Sequence, residues 1–138
     1  MKYLCLVYLD EQRLHELPDE DCVAYDAAIR KSGQCIASEA LESVQTATTV
    51  RVRDGKMAIT DGPFAETKEQ LAGVYMIDAM DLNEAIQIAA KIPPARVGSI
   101  EVRPIRPIRE TVADAEGQRR GTRRAAASGR PNLTEETR

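Results

Sequence analysis

Three carboxylates crowd one turn. Asp61, Glu66 and Glu69 lie within Thr60-Asp61-Gly62-Pro63-Phe64-Ala65-Glu66-Thr67-Lys68-Glu69-Gln70, a stretch flanked by apolar, strand-like runs on both sides. Two carboxylates held in a partly dry cleft can share a proton or divide into an acid and a base. Asp61 and Glu66 are therefore the candidate catalytic pair, with Glu69 beside them as a ligand contact. The competing role for Asp61 is turn capping, since aspartate readily accepts backbone N–H groups ahead of Gly-Pro. Glu66 and Glu69 could equally be solvated charges. Phe64, the single phenylalanine, either anchors the loop onto the protein or offers a ring on which a ligand stacks. A turn that only reverses direction needs about two to five residues and no carboxylates. This linker is longer and acidic.

Other polar residues could complete such a site. Arg96 follows the Pro93-Pro94 break, Arg103 sits in the last strand-like run, and Glu39 lies near the end of an earlier one. Together they would form a polar cluster in which the arginines orient an anionic ligand through bidentate contacts. The alternative is a salt bridge from Arg96 or Arg103 to Glu66 or Glu39. His15, the sole histidine, falls in a polar loop and reads as solvated. Cys5, Cys22 and Cys35 form no C-x-x-C pair and read as small core hydrophobes. No His or Cys spacing suits a metal, and no phosphate-cradling loop or nucleophile elbow appears. Neither metal nor cofactor is expected.

The elements that must position these residues follow from the pattern. Residues 2–9 read as a buried strand. Pro18-Asp19-Glu20-Asp21 opens a helix running to about Ser32 and stopping at Gly33, with Cys22, Val23, Tyr25, Ala27 and Ile29 as its apolar stripe. Gln34–Leu41 is a second strand. Ala47–Arg53 alternates, placing Val50 and Val52 on one face, and Asp54-Gly55 turns it into a hairpin with Lys56–Thr60. Leu71–Ala79 is another strand. Asp81 and Glu84 open a second helix whose expected stripe is Leu82, Ala85, Ile86 and Ala89. Ser99–Arg103 is the last strand. Without the hairpin this is βαββαβ, an α+β ferredoxin-like order. The second face of such a sheet is apolar here, so sheet-on-sheet homodimerisation is expected.

Composition fits an ordinary globular domain, 43% hydrophobic and 30% charged, and no run approaches the roughly 18 apolar residues that span a bilayer. A cytoplasmic location is the expectation. Residues 1–109 carry 13 basic and 17 acidic residues, net −4, which argues against a nucleic-acid surface there. Residues 110–138 are different material, with five arginines between Arg119 and Arg130, several glycines and an alanine triplet. They read as a flexible tail, whose arginines could weakly touch nucleic acid or an acidic partner.

Asp61-Gly62-Pro63-Phe64, together with Lys2-Tyr3-Leu4, Thr48-Thr49-Val50-Arg51, Asp54-Gly55-Lys56 and Gly98-Ser99-Ile100-Glu101-Val102-Arg103-Pro104, resembles the YCII-related family in its DGPF branch. The resemblance spans nearly all of residues 1–108. It implies a ferredoxin-like protomer that pairs into a dimeric α/β barrel. It also implies a cleft, which in some members holds a His–Asp pair. This chain departs there, offering Tyr25 and Asp26 on the first helix and Val97 where related DGPF proteins carry histidine. Because the DGPF branch is similar to proteins found beside extracytoplasmic-function sigma factors, a regulatory sigma-factor partner is the alternative to a small-molecule site.

Overall fold

Strict alternation in β1 (Lys2–Leu9) divides the molecule into two sides. Tyr3, Cys5, Val7 and Leu9 are buried, while Leu4, Leu6 and Tyr8 are half-buried on the opposite face, as period-two geometry requires. The computed structural model describes residues 1–108, so the arginine-rich segment 110–138 lies outside the described residues.

After a short 3-10 turn over Glu11–Glu16 come α1 (Asp19–Lys31), β2 (Cys35–Ala40), a second 3-10 turn over Val44–Thr46, and the hairpin strands β3 (Thr48–Arg53) and β4 (Lys56–Asp61). Then follow β5 (Gln70–Asp78), α2 (Leu82–Ala90), a 3-10 turn over Pro93–Arg96, and β6 (Ser99–Pro104). The main sheet has the order β2-β5-β1-β6 with antiparallel neighbours throughout. The architecture is α+β, and removing the hairpin leaves the βαββαβ order of a ferredoxin-like fold.

Both helices pack on the Tyr3/Cys5/Val7 side. Ile29 from α1 and Ala85, Ile88 and Ala89 from α2 join Ile77 in one core. Two helix stripes differ from the sequence expectation. Val23 is 68% exposed and Ala27 is exposed, because the line that meets the sheet runs through Cys22, Tyr25 and Ile29. In α2 the buried line is Ala85, Ile88 and Ala89, while Leu82 and Ile86 lie to one side of it, half in solvent. Asp81 caps α2 by accepting the Glu84 N–H at 2.9 Å, and the Glu84 carboxylate reaches back to the Met80 N–H at 2.6 Å. The box is thus displaced one residue outward from the usual reciprocal pair.

The hairpin forms its own two-stranded sheet. Asp54 and Gly55 both take positive φ, 55° and 75°, as a type I′ turn demands. Val50 and Val52 do not join the second face of the main sheet. They pair with Ile59 and Met57 on a face where all four side chains are 57–67% exposed.

Candidate functional site

A cleft opens where the Asp61–Gln70 loop faces the segment between β2 and β3. Its volume is about 480 Å³, within the range of small-molecule sites. One wall is the stretch 41–47, the other comes from Pro63, Phe64, Ala65 and Thr67, and Tyr8, Gln70 and Leu71 line the base. Most of the lining is apolar.

Each wall is fixed by an identifiable contact. Gly62 turns the chain out of β4 with φ 109°, a conformation that L side chains rarely adopt. Its N–H donates to the Ala47 carbonyl at 2.7 Å, and its carbonyl accepts the Thr49 hydroxyl at 2.8 Å. The base of the hairpin therefore ties the loop to the opposite wall. That wall is held by Glu11, whose carboxylate accepts the Val44 N–H at 2.7 Å and the Ser43 hydroxyl at 2.9 Å. Glu11 in turn donates its backbone N–H to Gln70 Oε1 at 3.1 Å. Gln70 Nε2 donates to the Thr67 carbonyl at 2.7 Å, and Thr67 Oγ1 to the Glu69 carbonyl at 2.5 Å. Glu11 sits in the first turn of its 3-10 helix and faces the N-terminal end of the Val44–Thr46 turn. Its two carboxylate oxygens each accept one hydrogen bond there, from Ser43 and from Val44.

Of the seven residues singled out from sequence, Phe64 lines this cleft and the other six do not. Phe64 is not an anchor: its side chain is 82% exposed, and the Arg51 guanidinium lies 5.9 Å over its ring centroid. Asp61 and Glu66 are exposed, and among the described residues neither carboxylate accepts a hydrogen bond, so turn capping by Asp61 is not seen. Glu69 is half-buried and accepts the Ser99 hydroxyl at 2.8 Å. The arginines pair elsewhere than with Glu66 or Glu39. Arg96 binds Asp21 of α1 at 2.8 Å, and Arg103 forks onto its strand neighbour Glu101, with Nε at 3.0 Å. Sheet order supplies the reason: Glu39 on β2 and Arg103 on β6 sit on opposite edge strands, with β5 and β1 between them. His15 is exposed in the first 3-10 turn.

The residues that sequence reasoning missed are Tyr8, Glu11 and the stretch 41–47. Tyr8 carried a signal, since it shares the Leu4/Leu6 face near the end of the strand. The stretch 41–47 carried none, being a short polar connection without a motif.

Electrostatic perturbation concentrates away from the cleft, between α1 and the sheet. Burial pushes the Tyr75 hydroxyl up to about 12, with Asp26 adding to it, and raises the Tyr25 hydroxyl further. Tyr25 stacks edge-on to Tyr75 with centroids 5.6 Å apart and donates to the Ile88 carbonyl. Asp26 is held below the ordinary aspartate value by the Arg30 guanidinium at 2.9 Å, with the Ser38 hydroxyl contributing. Burial also pushes the Cys5 thiol up to about 11. These are packing groups, not a reactive constellation. Among the described residues no group of three His, Cys, Asp or Glu side chains is placed to hold a metal.

Comparison with known proteins places this geometry in a family. The YCII-related domain matches residues 1–109. An uncharacterized protein of Rhizobium meliloti (strain 1021) is 36% identical over 114 residues, covering 76% of this chain and 92% of its own length. The chain belongs to the YCII-related family. No helix among the described residues is long and apolar enough to cross a membrane.

Proposed function

We propose that the protein is a homodimeric, ferredoxin-like small-molecule binder whose site is the cleft between the Asp61–Gln70 loop and residues 41–47. The observation that carries this reading is the cleft itself, about 480 Å³ in volume, apolar in most of its lining and framed by two hydrogen-bonded walls. The exposed Phe64 ring at its rim is a surface on which a flat apolar group can lie. Pairing is supported by the half-buried apolar face of β1 and β5, formed by Leu4, Leu6, Val74 and Met76 opposite the helices, and by the exposed hairpin face.

Binding is favoured over turnover. Asp61 and Glu66, the acid–base pair expected from the sequence, stand outside the lining, and such a role would require the loop to turn them inward. Arg96 and Arg103, expected to orient an anion, are each matched to a carboxylate.

Native mass spectrometry of the full-length protein tests both parts. A mass of twice the 15.2 kDa chain supports pairing, and extra mass that is lost in Phe64→Ala supports the cleft. A monomer would refute the pairing. A dimer whose small-molecule binding is unchanged in both Phe64→Ala and Leu71→Ala would refute the site.

A further inference from the structure

The base of the cleft and the face of the main sheet away from the helices are one surface. Alternation puts Leu4, Leu6 and Tyr8 on that side of β1, and the register sets Met76, Val74 and Leu71 opposite them on β5. Tyr8 and Leu71 are the cleft base. A strand rises about 3.4 Å per residue and packed sheets lie about 10 Å apart, so whatever is seated on Leu6 also stands over Tyr8.

The two edges of that face differ in charge. Glu39 lies opposite Val74 on β2, and Arg103 lies opposite Leu4 on β6. Arg103 gives Nε and one Nη to Glu101 while its side chain stays 69% exposed, so its other Nη still has donors to give. A two-fold axis along the strands lays β2 of one copy over β6 of the other, and Glu39 then faces an arginine twice.

The hairpin starts at the cleft but does not cover it. Its base is tied there through the Gly62 N–H to the Ala47 carbonyl and the Thr49 hydroxyl to the Gly62 carbonyl. Arg51 lies over the Phe64 ring, so the hairpin turns its polar face to its own cleft, and Val50 and Val52 point the other way. Their face is exposed and outside the core cluster. A two-stranded hairpin is only marginally stable without something to pack on.

We propose that the cleft is a shared site, completed by a second copy of this chain. One protomer supplies Tyr8, Phe64 and Leu71. The second copy sits on the Leu4, Leu6, Val74 and Met76 face with its hairpin across the opening, roofed by the partner's Val52 and the partner's Met57. A shared site presupposes the pairing and the cleft proposed above, and adds that each strengthens the other.

The test uses 2-naphthol, a flat neutral aromatic, with the full-length protein, and follows NMR shifts at Tyr8, Phe64 and Leu71. Val52→Lys changes a side chain that is 60% exposed and outside the lining of its own cleft. It is nevertheless expected to weaken the probe by about tenfold or more, because it alters the roof of the opposite site. Pairs reconstituted from one isotope-labelled and one unlabelled chain locate the contact without any substitution. Interchain NOEs are expected from Phe64 and Leu71 of one chain to the methyls of the partner's Val52 and the partner's Met57. Unchanged affinity in Val52→Lys, or no such NOEs in a pair that binds the probe, overturns the shared site and leaves the cleft and the pairing standing. A single-chain mass in solution overturns the pairing as well. A pair in which the probe shifts none of Tyr8, Phe64 and Leu71 overturns the cleft reading.

Discussion

Glu11 and Val44, 33 residues apart, are joined by a 2.7 Å hydrogen bond from the Val44 N–H to the Glu11 carboxylate. With the Ser43 hydroxyl on the other oxygen, this contact holds one wall of the cleft to the end of β1. The wall has little packing of its own: Glu42, Ser43, Gln45 and Thr46 are exposed. Glu11→Ala is therefore expected to release it, at a cost of about 1 kcal/mol for a half-exposed, charge-assisted pair. Hydrogen exchange at Val44 and Gln45 should accelerate while the β1–β5 amides stay protected. Unchanged protection at Val44 would show that the wall is held by something else.

Gly98 supports the other end of the site. A side chain there would overlap the Tyr8 carbonyl oxygen and press on Leu9 Cα at 3.2 Å. The obstacle is backbone inside a paired strand, so relief requires β1 and β6 to part. Gly98→Ala is expected to lose about 3 kcal/mol or more, above the usual range for overpacking. Gly73→Ala meets the Glu39 carbonyl at 2.9 Å, a shallower overlap than the one at Gly98, and should cost less. Urea midpoints of the two variants check the ranking, and a harmless Gly98→Ala would contradict this geometry.

The order of these strands and helices could be read from sequence because each announced itself locally. An apolar run without helix period marked β1, alternation marked β6, Asp54-Gly55 marked the hairpin turn, and Asp81 with Glu84 marked the start of α2. The helix faces were less legible. Leu82 and Ile86 are as hydrophobic as Ile88, and the choice among them is made by the sheet beneath rather than by the helix. The site was least legible. Phe64 stood out by its rarity, but the facing wall is an ordinary polar connection, made important by Glu11 reaching across 33 residues. Glu39 and Arg103, expected to meet in one polar cluster, stay apart because β2 and β6 are opposite edges of one sheet.

Alkaline pH should destabilise the protein in a defined window. Burial holds the Cys5 thiol at about 11 against an ordinary 9.0, and the Tyr75 hydroxyl at about 12 against 10.0. The folded state keeps these protons where the unfolded chain releases them, so the unfolded state binds fewer protons and stability falls as pH rises. The contribution is whole below pH 9 and declines from there through about 12. Urea midpoints from about pH 8 to about pH 11 are expected to fall, and more gently in Cys5→Ala over the lower part of that range. Parallel slopes for the two proteins would remove Cys5 from the account.

The hairpin separates folding from association. Val50 opposite Ile59 and Val52 opposite Met57 make one apolar face on a two-stranded sheet outside the core cluster. A two-stranded hairpin gains little stability from its own pairs, and these side chains are 57–67% exposed. Replacing Val52 or Met57 by lysine should therefore change folding free energy by no more than about 0.5 kcal/mol. If a second copy covers this face, each buried apolar side chain contributes about 1.5–3 kcal/mol there, and a single charge in its place should weaken pairing by at least about tenfold. Sedimentation velocity across a dilution series, alongside urea unfolding, reads both quantities on the same variants. Loss of the dimer with unchanged unfolding would assign the hairpin to the interface. A dimer that survives both Val52→Lys and Met57→Lys would confine pairing to the Leu4, Leu6, Val74 and Met76 face of the main sheet.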